Sequence, residues 1–267
     1  MSMIWAFVRR DWATERSYRL ASVLSVGGLF LPLIGLYFLS KLLGSLDIQS
    51  LERYGGKYVP FLLVGLVITG YSGLALSAFT GSLSGAQVRG TLEPLLLTRA
   101  TLPILFVGMS LYQVLRTTLL FVIYAAGAFL IVGVEFSGAN FGAAVIVLVL
   151  IMAVLGGLGL FAASFTLVFK QSDPLTRGLL LASGFLSGAV FPVTMLPGWL
   201  QVVSKALPQT HALEAARLAV LQGASFSEVS GSIGALLIYA GVLVPFSVWA
   251  FGRAMRQAKM DGSLAHY

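Results

Sequence analysis

Apolar runs long enough to cross a bilayer recur along the whole chain, parted by short stretches that hold most of the charge. The first covers 20–43, with Pro32 inside it, and a polar loop follows at 44–58. A second covers about 59–83. The third nominally opens at Pro103, but Gln113 and Arg116 set the start of its membrane part near residue 113 and its end at Val134. Arg116 then snorkels to the same surface as Arg99. Residues 135–140 leave only a tight turn before the fourth run, 141–169, where Gly156, Gly157 and Gly159 permit close backbone approach. A polar link at 170–177 ends it. The fifth begins at Gly178 and reaches about Val190 or somewhat beyond, and the sixth covers about 233–251. Since roughly 20 residues cross the hydrocarbon core, this pattern predicts an all-α integral membrane protein with six transmembrane helices, spread over residues 20–267.

Three segments depart from the pattern. Residues 1–19 place Met1, Ile4, Trp5, Val8 and Trp12 at helical spacing with charges opposite, which predicts an N-terminal interfacial helix with its tryptophans at headgroup level; the competing reading is a frayed tail. Residues 85–103 form a short semi-polar stretch. There Leu92, Leu95 and Leu96 share a face at i, i+3, i+4 spacing, and Arg89, Glu93 and Arg99 stand around it. Residues 191–223 are cut by Pro192, Pro197 and Pro208, so they cannot form one span. Two short helices remain, one over about 198–207 and one with Thr210 as N-cap and Gly223 at its end. We read them as a re-entrant or interfacial hairpin on the outer side, with Trp199 at the interface and His211, Glu214 and Arg217 as a polar face toward water or each other. Ser225 and Glu228 fit a capping box ahead of the last span.

Composition agrees with the pattern. Of 267 residues, 58% are hydrophobic and 10% charged, and mean hydropathy is +0.92, against roughly 45–50% and 25% for soluble domains. The formal charge of +7 does not point to nucleic acid, because the basic residues lie at span ends. One side collects Arg9, Arg10, Arg16, Arg19, Arg89, Arg99, Lys170, Arg177, Arg253, Arg256 and Lys259; the other has Lys41, Arg53, Lys57, Lys205 and Arg217. The richer side is expected to be cytoplasmic, with both termini on it. The absence of cysteine removes disulfides and thiolate metal sites.

Motifs for chemistry fail. Nothing matches a P-loop: Gly55, Gly56 and Lys57 are followed by Tyr58 where a hydroxyl residue is needed. No H-E-x-x-H occurs, and His211 with Glu214 at i, i+3 reads better as a helix face than as a metal site. The pattern Gly184-x-x-x-Gly188, with Ser187 inside it, would let two helices approach closely, either between copies as a dimer face or within one chain.

The residues R-G-T-L-E-P-L-L-L-T at 89–98, S-G-A-V-F-P-V-T-M-L-P-G-W-L-Q at 187–201 and L-P-Q-T-H-A-L-E-A-A-R-L-A-V-L-Q-G at 207–223 resemble, as an ordered set, the membrane subunits of ABC type-2 exporters. That class includes permeases for polysaccharide, lipo-oligosaccharide, teichoic-acid and drug export. The resemblance covers essentially the whole chain, with one departure at Arg99, where many members have proline. It implies that 85–103 is a cytoplasmic coupling helix docking on a separate nucleotide-binding ATPase, that ATP and Mg bind that partner while this chain holds no cofactor or metal, and that the permease pairs with a second copy or a paralogue. It also implies an extracytoplasmic re-entrant hairpin at about 191–223 and residence in the cell inner (cytoplasmic) membrane among its lipids. Few polar groups in the spans suit a lipid, a lipid-linked glycan or an amphipathic drug as cargo. The competing function is an ion-gradient-driven secondary transporter or channel, disfavoured because such carriers keep ionisable relays at mid-membrane.

Overall fold

The computed structural model describes residues 49–88, 102–127, 138–169 and 174–260, together with Leu130 and isolated positions between 5 and 42. Most of the N-terminal segment, most of the first span and the whole 89–99 motif lie outside the described residues. Among the described residues the fold is helical, with no strand. A 3₁₀ helix at Gln49–Tyr54 leads into α1 (Tyr58–Val88), followed by α2 (Leu102–Gly127), α3 (Phe141–Phe169), α4 (Pro174–Leu186), α5 (Gly198–Lys205), α6 (Pro208–Leu221) and α7 (Phe226–Met260).

Three of these helices are long and apolar enough to cross a membrane: α1, α3 and α7. The expected fourth run coincides with α3. The last helix extends past the expected span 233–251 at both ends; it starts at Phe226 behind the expected capping box, where Glu228 Oε2 accepts from the Ser225 N–H at 2.6 Å and from its hydroxyl at 2.8 Å. The third run is carried by α2, which is helical from Leu102, so the expected start of its membrane part near Gln113 lies within the helix. α4 has 13 residues, about 20 Å at 1.5 Å per residue, so by itself it falls short of the roughly 30 Å hydrocarbon core.

α3 is the central helix. Its face of Ala143, Val147, Ile151, Val154 and Leu155 is buried against α1, α6 and α7. The glycine run does what its composition suggested. A Cβ on Gly159 would lie 2.3 Å from the carbonyl oxygen of Leu76, and one on Gly157 would meet Val244, so these glycines set how closely α3 lies against α1 and α7. Apolar side chains elsewhere point outward: Phe141, Val145 and Val149 along α3, and Ile238, Val242 and Trp249 along α7, are all exposed. Faces of this size and polarity suit lipid or another helix rather than water.

The segments that the charge count puts on the less basic side gather at one end of the bundle. Arg53 of the 3₁₀ helix pairs with Glu214 of α6 at 2.7 Å. Asn140 ties the turn before α3 to the end of α6: its N–H donates to Ala219 O at 2.8 Å and its side-chain amide to Ala224 O at 3.0 Å, while its Oδ1 caps α3 by accepting from the Ala143 N–H. Gly223 follows α6 with φ +64°, and a Cβ there would strike Gly138 O at 2.4 Å. Only glycine serves both the left-handed turn and that contact.

The Gly159 contact is testable. Gly159→Ala is expected to lower stability by about 1–3 kcal/mol through overpacking, whereas Gly241→Ala, where a Cβ meets nothing within 4 Å, should be neutral or slightly stabilising. Thermal unfolding of both variants in detergent checks this; identical midpoints would rule out the close approach.

Candidate functional site

The helical pair α5–α6 forms around its prolines. Pro197 precedes α5, and Pro208 opens α6 at its first position, where the missing N–H costs nothing. Thr210 is therefore not the N-cap that its residue type suggested. It lies inside α6 and donates its hydroxyl to Ser204 O at 2.6 Å, closing the α5–α6 corner. Gln201 likewise reaches back to Leu196 O at 2.8 Å.

The two helices have opposite surroundings. On α5, Trp199 and Val202 are about 70% exposed, at 71% and 70%, and Met195 just before it is exposed as well. α6 is enclosed: Ala212, Leu213, Ala215, Ala216 and Ala219 are buried against α1, α3 and α7. Its alanines permit close approach where larger side chains would hold the helices apart. Gln209, also buried, donates to Thr69 Oγ1 on α1 at 3.2 Å.

Arg217 departs most from expectation. It is only 3% exposed and makes no ion pair with Glu214. Its Nη1 donates to Gly188 O at 2.8 Å, Nη2 to Ala189 O at 2.7 Å and Nε to Phe61 O at 3.3 Å, while the guanidinium carbon sits 3.4 Å from the centre of the Phe61 ring. A planar fork with five N–H donors can hold several carbonyls and stack on an aromatic face at once, which an ammonium cannot. Tyr58 takes the next carbonyl, donating to Val190 O at 3.1 Å. Gly65 makes room, since a Cβ there would lie 2.2 Å from Ala189 O and 2.8 Å from Nη2 of Arg217. The guanidinium thus joins α1, the turn after α4 and α6. Its charge has no carboxylate partner among the described residues, because Glu214 is engaged by Arg53.

The other expected site residues divide. His211 bonds the Lys205 carbonyl at 2.9 Å and Glu214 pairs with Arg53, so neither bonds the other or Arg217, and both keep part of their surface exposed. Pro192 is buried and Pro197 exposed. Gly184 and Gly188 do not share a helical face, because α4 ends at Leu186 and Gly188 turns with φ +82°. Ser187 is 1% exposed within the chain; what α4 presents outward is Leu181 and Phe185, with Gly184 beside them. Arg89, Leu92, Glu93, Leu95, Leu96 and Arg99 lie outside the described residues.

Between the 3₁₀ helix, the turn after α4 and the α5–α6 pair lies a half-open cleft of about 320 Å³, lined by Arg53, Lys205, Glu214, Arg217, Ser187 and Thr194 among others. Tyr54 also borders it; burial first, and then the Glu214 carboxylate, push its phenol above the ordinary value, so it remains neutral. Arg53, Phe61 and Gly65 were not singled out in the sequence, since nothing local marks a residue whose partner lies more than 150 positions away.

The profile of the ABC-2 type transporter family matches residues 2–221. The chain belongs to that family. Its curated relatives include Nodulation protein J of Rhizobium meliloti (strain 1021), 30% identical over 250 residues that cover 89% of this chain and 87% of the relative. Nodulation protein J of Neorhizobium galegae is 30% identical over 261 residues, 91% of this chain and 90% of the relative. That of Rhizobium leguminosarum bv. trifolii is 29% identical over 260 residues, covering 92% and 90%. This ABC-2 permease is thus a multi-pass membrane protein and the membrane subunit of an ABC exporter, in a family whose members work with an ATP-binding subunit.

The Arg217 fork carries a stability prediction for the permease. Arg217→Met should cost about 3–5 kcal/mol, because it strands buried carbonyls as well as losing the stacked contact. Arg217→Lys should recover only part of this. Unfolding of the purified variants by heat or by SDS titration checks it, and a wild-type midpoint for the methionine variant would show that the fork is not structural.

Proposed function

We propose that this permease forms, with a second copy or a paralogue, the pathway by which a lipid, a lipid-linked glycan or an amphipathic drug leaves the cytoplasmic membrane. ATP and Mg act on the partner ATPase, and residues 85–103 are the helix through which closure of that ATPase is felt. Both termini face the cytoplasm. The α5–α6 pair dips into the outer leaflet and caps the exit. The observation that carries this reading is the burial of α6 among α1, α3 and α7 while the adjoining α5 turns Trp199 and Val202 outward. A helix of 14 residues is too short to span, and its surroundings are those of a segment inserted beside the spans. Non-helical backbone at membrane depth is tolerated where protein satisfies it, and Arg217, Tyr58 and Asn140 satisfy the turns on either side. The outward Leu181 and Phe185, with Gly184, make α4 a reasonable contact between copies.

Two experiments test the reading. Glu93→Lys should reduce copurification of the ATPase and uncouple transport while insertion stays normal, because a charge reversal at an interface costs association more than folding; the wild-type complex should have the mass of two permeases with two ATPases. Full association and transport by the variant would remove the coupling assignment. Single cysteines along 193–219, probed with a membrane-impermeant thiol reagent, should give a protected apex between labelled ends, with labelling that changes when ATP is trapped on the partner. Uniform, nucleotide-independent labelling would exclude the capping role.

A further inference from the structure

We infer that the cleft beside Arg217 is a binding site for a phosphate-class anion, either the head group of a lipid or a free phosphate. Three observations converge on it. The first is charge: Arg53, Lys205 and Arg217 line the cleft against a single carboxylate, Glu214, and that carboxylate is taken by Arg53. The second is the state of Arg217. Carbonyl oxygens take three of its five N–H groups, but they carry no net charge, and a buried cation is normally paired with an anion. The third is independent of charge. Ser187 is 1% exposed, lines the same cleft, and its hydroxyl has no hydrogen-bond partner. Buried hydroxyls are rarely left unsatisfied, and this one stands with Thr194 and Lys205 around a space that accepts a small polar group.

The chemistry selects the ligand. An anion with several oxygens can take the hydroxyl of Ser187 and the ammonium of Lys205 while lying against the uncompensated charge of Arg217, and charge-assisted hydrogen bonds of this kind are the stronger ones. The cleft volume of about 320 Å³ holds a head group and leaves acyl chains to run along the exposed apolar side chains of α5. Which leaflet supplies the lipid rests on the proposed orientation of the hairpin; the anion preference does not.

Full-length permease in a sugar-headed detergent, titrated with dioctanoyl phosphatidylglycerol, with dioctanoyl glycerol and with inorganic phosphate, tests the site by calorimetry and by the shift in melting temperature. Phosphatidylglycerol or phosphate should bind, and the phosphate-free lipid should not. If phosphate competes with phosphatidylglycerol, the site takes the anion from either source; if only the lipid binds, the head group is the ligand; if only phosphate binds, the free anion is. Ser187→Ala removes an unsatisfied hydroxyl and should fold as well as wild type, and Lys205→Gln alters an exposed side chain; each should weaken binding by roughly tenfold, the loss of one charge-assisted contact. Equal binding of both lipids with no response to phosphate, or wild-type affinity in both variants, would overturn the site. The labelling of the hairpin is read separately, so failure of the anion site and failure of the capping role are distinguishable.

Discussion

A single guanidinium ties the turn after α4 to α1 and α6. Arg217 gathers carbonyls from α1 and from the turn after α4 and rests on the Phe61 ring. Away from water, a polar backbone group without a partner costs several kcal/mol, and the turn after α4 presents three successive carbonyls at 188–190. Arg217 takes two and Tyr58 the third. That satisfaction allows the chain to leave α4 after Leu186 and turn into α5 and α6. Gly65 is the matching concession on α1, since any side chain there would occupy the place of the fork.

The rest of the packing follows membrane rules. Apolar burial contributes little to holding helices together where lipid is as apolar as leucine, so close contact and polar pairs must do it. Accordingly α3 meets α1 through Gly159 and α7 through Gly157, and α6 enters on a run of alanines. Other large apolar side chains point outward, along α7 and one face of α3. Large apolar side chains are thus found on both sides, with Phe61, Leu76, Ile151 and Leu213 inside, and the small residues mark the places of closest approach.

For an exporter this geometry has a mechanical consequence. The segments at one end of the bundle, 49–54, 138–140 and α6, are tied to one another by Arg53 with Glu214 and by Asn140 with the backbone at 219 and 224. α1 is bonded to α6 through the Arg217 fork and through Gln209. The cleft lies at that junction, with Arg217 in its lining.

The sequence by itself determined that this is a helical membrane protein, where α3 runs, that the prolines at 192, 197 and 208 break 191–223 into two short helices, and that Gly223 closes the second. Those features depend on local chemistry: hydropathy over a window, proline's missing donor, glycine's left-handed turn. The order of motifs also pointed to the ABC-2 family. What only the tertiary structure decided is where the polar side chains go. Helical spacing grouped His211, Glu214 and Arg217 on one face, yet their partners are Lys205, Arg53 and the carbonyls at 61, 188 and 189. Likewise Ser187 and Gly188 read as a helix-packing motif until the helix ended before them. Spacing along a helix says which side chains are neighbours, but a buried polar group is bound by whatever distant backbone the fold brings within reach, and no local signal records that distance.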